Sequence, residues 1–127
     1  MNLILQNPYS TACQQACIAM LIDKSLEYVI TLLGKERLDF FTRRDFLKSH
    51  RVIIENKGYV VSGFGENGLS YLVNKYPLTW ISYTNLNNGE CHACLIYEKH
   101  LYDPFRGIDP ILPWYWYISQ LNPIERD

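Results

Sequence analysis

Four side chains could together carry out acyl transfer at a carbonyl carbon. Gln6 precedes Cys13, and His92 and Asp103 follow far downstream. A cysteine nucleophile needs a base to take its proton and a third group to orient that base. We therefore predict that Cys13 is the nucleophile, that His92 is its base and that Asp103 fixes the imidazole tautomer. The Gln6 side-chain amide, together with the Cys13 backbone N–H, would hold the developing oxyanion.

The segment around Cys13 predicts the helix that this chemistry requires. Between Ala12 and Ile22, apolar residues recur with the spacing of a buried helix, at Ala16, Cys17, Met20 and Leu21. Cys13 falls at the start of this helix. A helix N-terminus and a nearby imidazolium both lower the pKa of a thiol, so Cys13 is expected where its thiolate is stabilised. Cys17, one turn further along, fits a core residue.

The rest of the chain predicts an α+β fold, with helices early and antiparallel strands late. Ser25 caps a second helix that ends at Gly34, and Thr42, with Asp45 three residues on, caps a third that runs to about Asn56. Gly58 would close that helix. The other predicted elements are a strand over 58–61, a short helix over 68–76, and strands over 78–83, 91–97 and 100–103. We predict one domain over residues 1–127.

The last two predicted strands bring His92 and Asp103 together. If Glu98-Lys99 is a two-residue turn, Cys94 lies opposite Asp103. Side chains alternate along a strand, so His92 and Asp103 would share one sheet face as diagonal neighbours, roughly 7–8 Å apart along the backbone. His100 falls on the opposite face, which argues against it as the base.

Composition restricts the class of protein. Hydrophobic residues make up 48% and charged residues 20% of the 127, and the formal net charge is −1. No global field would recruit nucleic acid or an anionic membrane. No apolar run approaches the roughly 20 residues of a membrane span. We therefore expect a cytoplasmic protein, or one delivered by a route that this segment does not encode, with a peptide or protein substrate and no cofactor. The oligomeric state stays open.

Zinc is the main alternative for the cysteines. Cys13-x3-Cys17 and Cys91-x2-Cys94 form two thiol pairs, with His92 beside the second. Strand alternation opposes this interpretation, because Cys91 and Cys94 would point to opposite faces. We predict no metal site. A disulfide framework is disfavoured by the absence of a secretion signal and by the length of the chain.

RNA binding is the main alternative for the basic residues. Five of them cluster on and just after the third predicted helix: Arg43, Arg44, Lys48, Arg51 and Lys57. A solvated helix face is the favoured interpretation of such a cluster. The aromatic run Trp114 to Tyr117 could line a cleft or meet a partner, although core packing is the favoured interpretation.

The segment Ala-Cys-Gln-Gln-Ala-Cys-Ile-Ala-Met, from Ala12 to Met20, resembles the nucleophile helix of papain-like cysteine peptidases. It is most similar to the bacteriocin-leader (double-glycine) peptidases and their stand-alone relatives, in which the helix reads Asp-Cys-Gly-x-Ala-Cys-Leu-Ala-Met. His92, the apolar strand after it and Asp103-Pro104 resemble the later segment of that family. Pro77-Leu-Thr-Trp-Ile is similar to the strand before the histidine strand.

The resemblance spans roughly residues 3–108. It implies a papain-like α+β domain and a cysteine peptidase-like hydrolase with a Cys-His-Asp triad and a thioester intermediate. The chain departs from the family pattern at Gln14, where glycine is usual, and at Ala12, where aspartate is usual. Gln6 lies seven positions before Cys13, one more than is common. The alternative on the same fold is a toxin, effector or binding module that acts on RNA or on a protein partner.

Overall fold

The computed structural model describes residues 1–7, 9, 11–56, 72–111 and 115–126. Helices precede most of the strands along this part of the chain. The helices are α1 (Cys13–Ile22), α2 (Leu26–Leu33) and α3 (Phe40–Ser49). The strands are β1 (Val52–Ile54), β2 (Thr79–Asn85), β3 (Cys91–Tyr97), β4 (His100–Asp103), β5 (Gly107–Ile108) and β6 (Trp116–Arg126).

The six strands form one sheet in the order β1-β6-β2-β3-β4-β5, and every neighbouring pair is antiparallel. The predicted α+β layout, with N-terminal helices and a C-terminal antiparallel sheet, is confirmed. Antiparallel neighbours can be joined by short turns, which suits the compact order β2-β3-β4-β5 along the chain. None of the helices in the described ranges combines the length and the apolar character needed to cross a membrane.

Helix α1 lies in the middle of the core. All residues from Gln15 to Leu21 are buried, including the four of the predicted apolar stripe. Small residues such as Ala16 and Ala19 let neighbouring elements approach closely, and α1 contacts both α2 and β3. Because α1 is enclosed on every side, its first residue, Cys13, is held in a fixed position relative to the sheet.

Helix α3 begins and ends earlier than predicted. The cap is Asp39, whose Oδ1 accepts a hydrogen bond from the Thr42 N–H at 2.7 Å, so the prediction that Thr42 is the cap is wrong. The helix ends at Ser49, not near Asn56, because the β-branched residues of β1 pair with β6. By contrast, Ser25 caps α2 as predicted, accepting from the Tyr28 N–H at 3.1 Å, and α2 ends before Gly34, which has φ +80°.

Two predicted elements fall largely outside the described residues. The strand over 58–61 lies wholly there, as does the closing position Gly58, and so does the first part of the helix over 68–76. Residues 72–75 are helical, in agreement with the end of that prediction.

Strand β6 was not predicted, although it is the longest in the described sheet. It lies between β1 and β2, and Trp116, Ile118 and Leu121 are buried in the core. The predicted core packing of the aromatic run therefore holds for Trp116, while Tyr117 is half-buried and Trp114 lies outside the described residues. The register of β2 against β6 shifts between Ser82 and Tyr83.

The hairpin that joins β3 and β4 has the predicted form. Tyr97 pairs with His100, so Glu98 and Lys99 make a two-residue turn. Both turn residues have positive φ, +47° and +65°. That conformation matches the right-handed twist of the strands it connects. The register of this hairpin sets which side chains of β3 and β4 share a face.

Candidate active site

Cys13 is the first residue of α1 and is half-buried at the rim of an open cleft of about 1140 Å³. Ala12, the N-cap residue, has no side-chain group that could cap the helix. The N–H groups of a first helical turn have no intrahelical acceptor, so they are available to an anion. The Cys13 sulfur receives hydrogen bonds from the backbone N–H groups of Gln14 and Ala93 and from the His92 side chain. The structure therefore brings the predicted nucleophile and its predicted base together.

His92 lies on β3, and its side chain contacts both Cys13 and Asp103. Its Nε2 is 2.7 Å from Asp103 Oδ1, and the side chain also hydrogen-bonds Cys13. Since Nε2 is engaged with the carboxylate, Nδ1 is the ring nitrogen left for the thiol. His92 and Asp103 share a sheet face, as the parity argument predicted. His100 is exposed on the other face and contacts Asp109 at 2.5 Å, so it takes no part in the cleft.

Asp103 is fully buried and held in one orientation by several donors. Its Oδ1 accepts the backbone N–H groups of Phe105 at 2.8 Å and Arg106 at 3.1 Å. Its Oδ2 lies 3.4 Å from the Arg106 guanidinium. The Cys94 thiol donates a further hydrogen bond to the carboxylate. A carboxylate fixed in this way holds the imidazole in one tautomer and one orientation.

Aromatic rings enclose the imidazole. The Tyr83 ring stacks on His92 with a centroid separation of 6.4 Å and an interplanar angle of 16°. Phe105 meets it edge-on at 6.4 Å, and Trp116 lies at 6.2 Å. Only 9% of His92 is exposed. This packing limits rotation of the ring and excludes water from most of its surface.

The electrostatics favour an ion pair between thiolate and imidazolium. Burial raises the pKa of Cys13, but the hydrogen bond and the charge of His92 outweigh it, so the thiol pKa is lowered overall. Burial lowers the pKa of His92, but the hydrogen bonds and charges of Asp103 and Cys13 outweigh it and raise the value to about 9. Burial opposes ionisation of Asp103 as well, yet the contacts with His92, Phe105 and Arg106 lower its pKa. The lowered pKa values of Cys13 and Asp103 and the raised pKa of His92 thus all favour the ionised forms of the three groups.

Gln6 is buried at the lining of the same cleft. Its backbone N–H donates to the Pro104 carbonyl at 2.9 Å, which ties the N-terminal segment to the turn after Asp103. The structure thus places Gln6, Cys13 and His92 at the lining of one cleft, with Asp103 buried behind His92. The oxyanion role of the Gln6 amide stays a prediction.

The other cysteines are not arranged as the zinc alternative requires. Cys17 and Cys94 are fully buried, and Cys91 is exposed. Within the described residues, the one group of three potential ligands joins His92, Cys94 and Asp103, whose ligand atoms lie within 4.8 Å of one another. Burial and the charge of Asp103 raise the pKa of Cys94 well above its usual range, so it is a thiol donor to the carboxylate.

The basic cluster on α3 is divided in the structure. Arg43 is buried at the lining of the cleft, whereas Arg44 is partly exposed and pairs with Asp45 at 2.9 Å. Lys48 and Arg51 are exposed, and Lys57 lies outside the described residues. The cluster is therefore not a single solvated face, because Arg43 belongs to the interior of the molecule.

Several residues of the site were missed in the sequence. Arg106 follows Asp103 by three positions, a spacing at which an aspartate can accept from the backbone N–H, and that signal was available. Tyr83, Trp116 and Arg43 carry no local signal, because only the pairing of distant segments brings them to the cleft. No protein-family model matches this chain, and no curated protein is significantly similar to it in sequence.

Proposed function

We propose that this protein is a papain-like cysteine peptidase, or thiol-dependent amide hydrolase, that cleaves a peptide or amide bond through a thioester at Cys13. The observation that carries the proposal is the hydrogen-bonded series of Cys13, His92 and Asp103 at the wall of an open cleft. A thiolate next to an imidazolium is matched to attack on a carbonyl carbon followed by protonation of a leaving amine.

Acylation uses the ion pair directly. The Cys13 thiolate attacks the carbonyl carbon, and the electron pair of the carbonyl moves onto its oxygen. The Cys13 backbone N–H and the Gln6 side-chain amide are the donors assigned to that oxyanion. When the intermediate collapses, the C–N bond breaks, and the amine takes the proton that His92 carries on Nδ1. The products of this step are a free amine and a thioester at Cys13.

Hydrolysis of the thioester reverses the roles. His92, now neutral, takes a proton from water as the water oxygen attacks the thioester carbonyl. The C–S bond then breaks and the sulfur leaves as thiolate, which restores the ion pair and releases a carboxylic acid. Asp103 keeps Nε2 protonated and stabilises the imidazolium in both halves of the reaction.

The architecture supports the papain-like assignment in a second way. The nucleophile begins a helix that is buried against an antiparallel sheet, and the base and its orienting residue lie on two adjacent strands of that sheet. This arrangement agrees with the resemblance of Ala12 to Met20 and of His92 to Pro104 to the family of bacteriocin-leader peptidases.

Turnover of a complex peptide mixture tests the proposal. The wild-type protein is incubated with peptides derived from a proteome, with and without hydroxylamine, and new termini and hydroxamates are detected by mass spectrometry. We expect cleavage products and hydroxamates with wild-type protein, none with Cys13→Ala, and at most a trace with Cys13→Ser, because a hydroxyl is hard to ionise in this site.

Charge reversal on α3 provides the matched control against the RNA alternative. Arg44→Glu with Lys48→Glu changes the exposed basic surface without touching the cleft, so amide turnover should be unchanged. If Cys13→Ala retains full activity, or if the charge reversals abolish function in cells while Cys13→Ala does not, the peptidase assignment is wrong.

A further inference from the structure

Arg43 is a buried cation without a counter-ion in the described part of the chain. Only 6% of the residue is exposed. Its guanidinium carbon lies 4.7 Å from the Trp80 ring centroid and 5.3 Å from that of Phe40. No described carboxylate lies within 4.0 Å of it, and its Nε has no hydrogen-bond partner there. Buried charges in proteins are normally paired, because the loss of hydration is otherwise uncompensated.

The nearby residues do not supply the missing anion. Asp39 is the carboxylate that acts on Arg43 through space, but its Oδ1 is engaged in capping α3 at the Thr42 N–H. Arg37 also lines the cleft and adds a second positive charge. Burial lowers the pKa of Arg43 and the charge of Arg37 lowers it further, whereas the negative charges of Asp39 and of the Cys13 thiolate raise it. A guanidinium nevertheless stays charged in proteins.

The position of Arg43 relates it to catalysis. It lines the same cleft as Cys13 and His92. An anionic group of a substrate, bound in this cleft, would neutralise the buried guanidinium and accept hydrogen bonds from its N–H groups. The planar guanidinium presents paired donors that match the two oxygens of a carboxylate. Trp80, packed against the guanidinium, would hold those donors in place.

We propose that Arg43 anchors a substrate subsite for a carboxylate beside Cys13, so that the preferred substrate carries a carboxylate close to the bond that is cleaved. The inference rests on the proposed amide hydrolysis and adds the chemical class of its substrate. The carboxylate is either the free C-terminus of a short peptide or the side chain of an acidic residue. Hydrogen bonds to a charged group favour the carboxylate over its neutral amide isostere by about 10- to 100-fold.

Three ligands with the same skeleton test the subsite and identify the source of the carboxylate. N-acetylglutamine carries only an α-carboxylate, N-acetylglutamic acid α-amide carries only a side-chain carboxylate, and N-acetylglutamine amide carries neither. Calorimetric titration into the wild-type protein measures their affinities, and slower labelling of Cys13 by iodoacetamide locates them in the cleft. We expect one of the charged ligands to bind at least 10-fold more tightly than the neutral one and to protect Cys13. Equal affinities, or no binding by any of the three, would overturn the subsite.

Substitutions of two adjacent arginines separate the effect of Arg43 in the cleft from that of a positive charge elsewhere on α3. Arg43→Gln should remove the preference for the charged ligand, and Arg43→Lys should keep part of it. Arg44→Gln, one position along and paired with Asp45, should keep all of it. A preference that survives in Arg43→Gln would overturn the assignment. If Arg43→Gln does not fold, Arg43→Lys and the wild-type titrations decide the matter.

The two proposals fail in different ways. If the subsite is wrong, the three ligands bind alike while Cys13-dependent turnover persists. If the hydrolase assignment is wrong, Cys13→Ala has no effect on activity, but the preference for a carboxylate still appears in titrations of the Cys13→Ala protein.

Discussion

Two opposite effects act on the pKa of His92, and their balance decides whether the imidazole is protonated. Burial among Tyr83, Phe105 and Trp116 disfavours the imidazolium, while the charges of Asp103 and Cys13 favour it. The charges prevail, which places the His92 pKa at about 9. A base with so high a pKa is already protonated at neutral pH, so its first task is to donate a proton to the leaving amine.

The pH dependence of turnover and of thiol alkylation should differ at high pH. Turnover needs both the Cys13 thiolate and the His92 imidazolium, whereas alkylation by iodoacetamide needs only the thiolate. The raised His92 pKa means that the imidazolium persists up to about pH 9 and is lost above it. We expect kcat/KM to fall above about pH 9, while the alkylation rate of Cys13 stays high. Stopped assays and labelling across pH 5 to 10.5 would measure both profiles.

Asp103→Asn is the control for that profile. Removing the carboxylate charge removes a cause of the raised His92 pKa, so the upper limb of the turnover profile should move to lower pH. The lowered Cys13 pKa depends on the His92 charge, so the alkylation profile should move to higher pH. An unchanged upper limb would contradict the assignment of Asp103 as the partner of the imidazole, and identical profiles for turnover and alkylation would contradict the ion pair.

At the scale of elements, one helix start and one hairpin define the geometry. Helix α1 fixes Cys13, because Gln15 to Leu21 are packed on all sides. The hairpin of β3 and β4 fixes the other two residues, because the two-residue turn determines which side chains share a face. A shift of one residue in that hairpin would place His92 and Asp103 on opposite faces.

The turn itself offers a way to stabilise the protein without changing its chemistry. Glu98 and Lys99 both adopt positive φ, which costs free energy for residues that carry a Cβ. Glu98→Asn with Lys99→Gly introduces the pair that two-residue hairpin turns favour. We expect the free energy of unfolding to rise by about 0.5–1 kcal/mol, less than the strain relieved, because glycine is more flexible in the unfolded chain. Urea unfolding measures the change, and turnover should be unaffected.

Insertion of one glycine between the same two residues is the opposite test. It should reverse the facing of one strand relative to the other, separate His92 from Asp103 and abolish turnover. An active insertion variant would show that the register of this hairpin does not position the site.

At the scale of the whole molecule, sequence patterns predicted the features that depend on neighbouring residues, such as a helix start and the pairing within one hairpin. The apolar stripe placed Cys13 at a helix start, and strand alternation with a two-residue turn paired His92 with Asp103. Strand β6 was missed because Pro123 lies within it and a proline argues against a strand in mid-sheet. Pro123 has no N–H to donate, but its carbonyl still accepts the Glu55 N–H at 2.9 Å.

Arg43 shows the same limit for the site. In the sequence it belongs to a cluster of basic residues that fits a solvated helix face, and nothing in that cluster distinguishes it from its neighbours. Its burial depends on Trp80, which comes from β2 and reaches α3 only through the tertiary fold. The periodicity of a helix or strand in the sequence does not show which distant segment will pack against it, so this burial could not be predicted.

Removal of metal should leave the fold and the activity unchanged. The group His92, Cys94 and Asp103 has ligand atoms close together, but each is engaged within the molecule: His92 Nε2 contacts Asp103 Oδ1 at 2.7 Å, and the Cys94 thiol donates to the same carboxylate. A metal binds the deprotonated thiolate, and the raised Cys94 pKa opposes that form. We expect the melting temperature and the turnover rate after dialysis against a chelator to match those of untreated protein. A drop of several degrees on chelation, restored by zinc, would show that a structural metal holds these residues together.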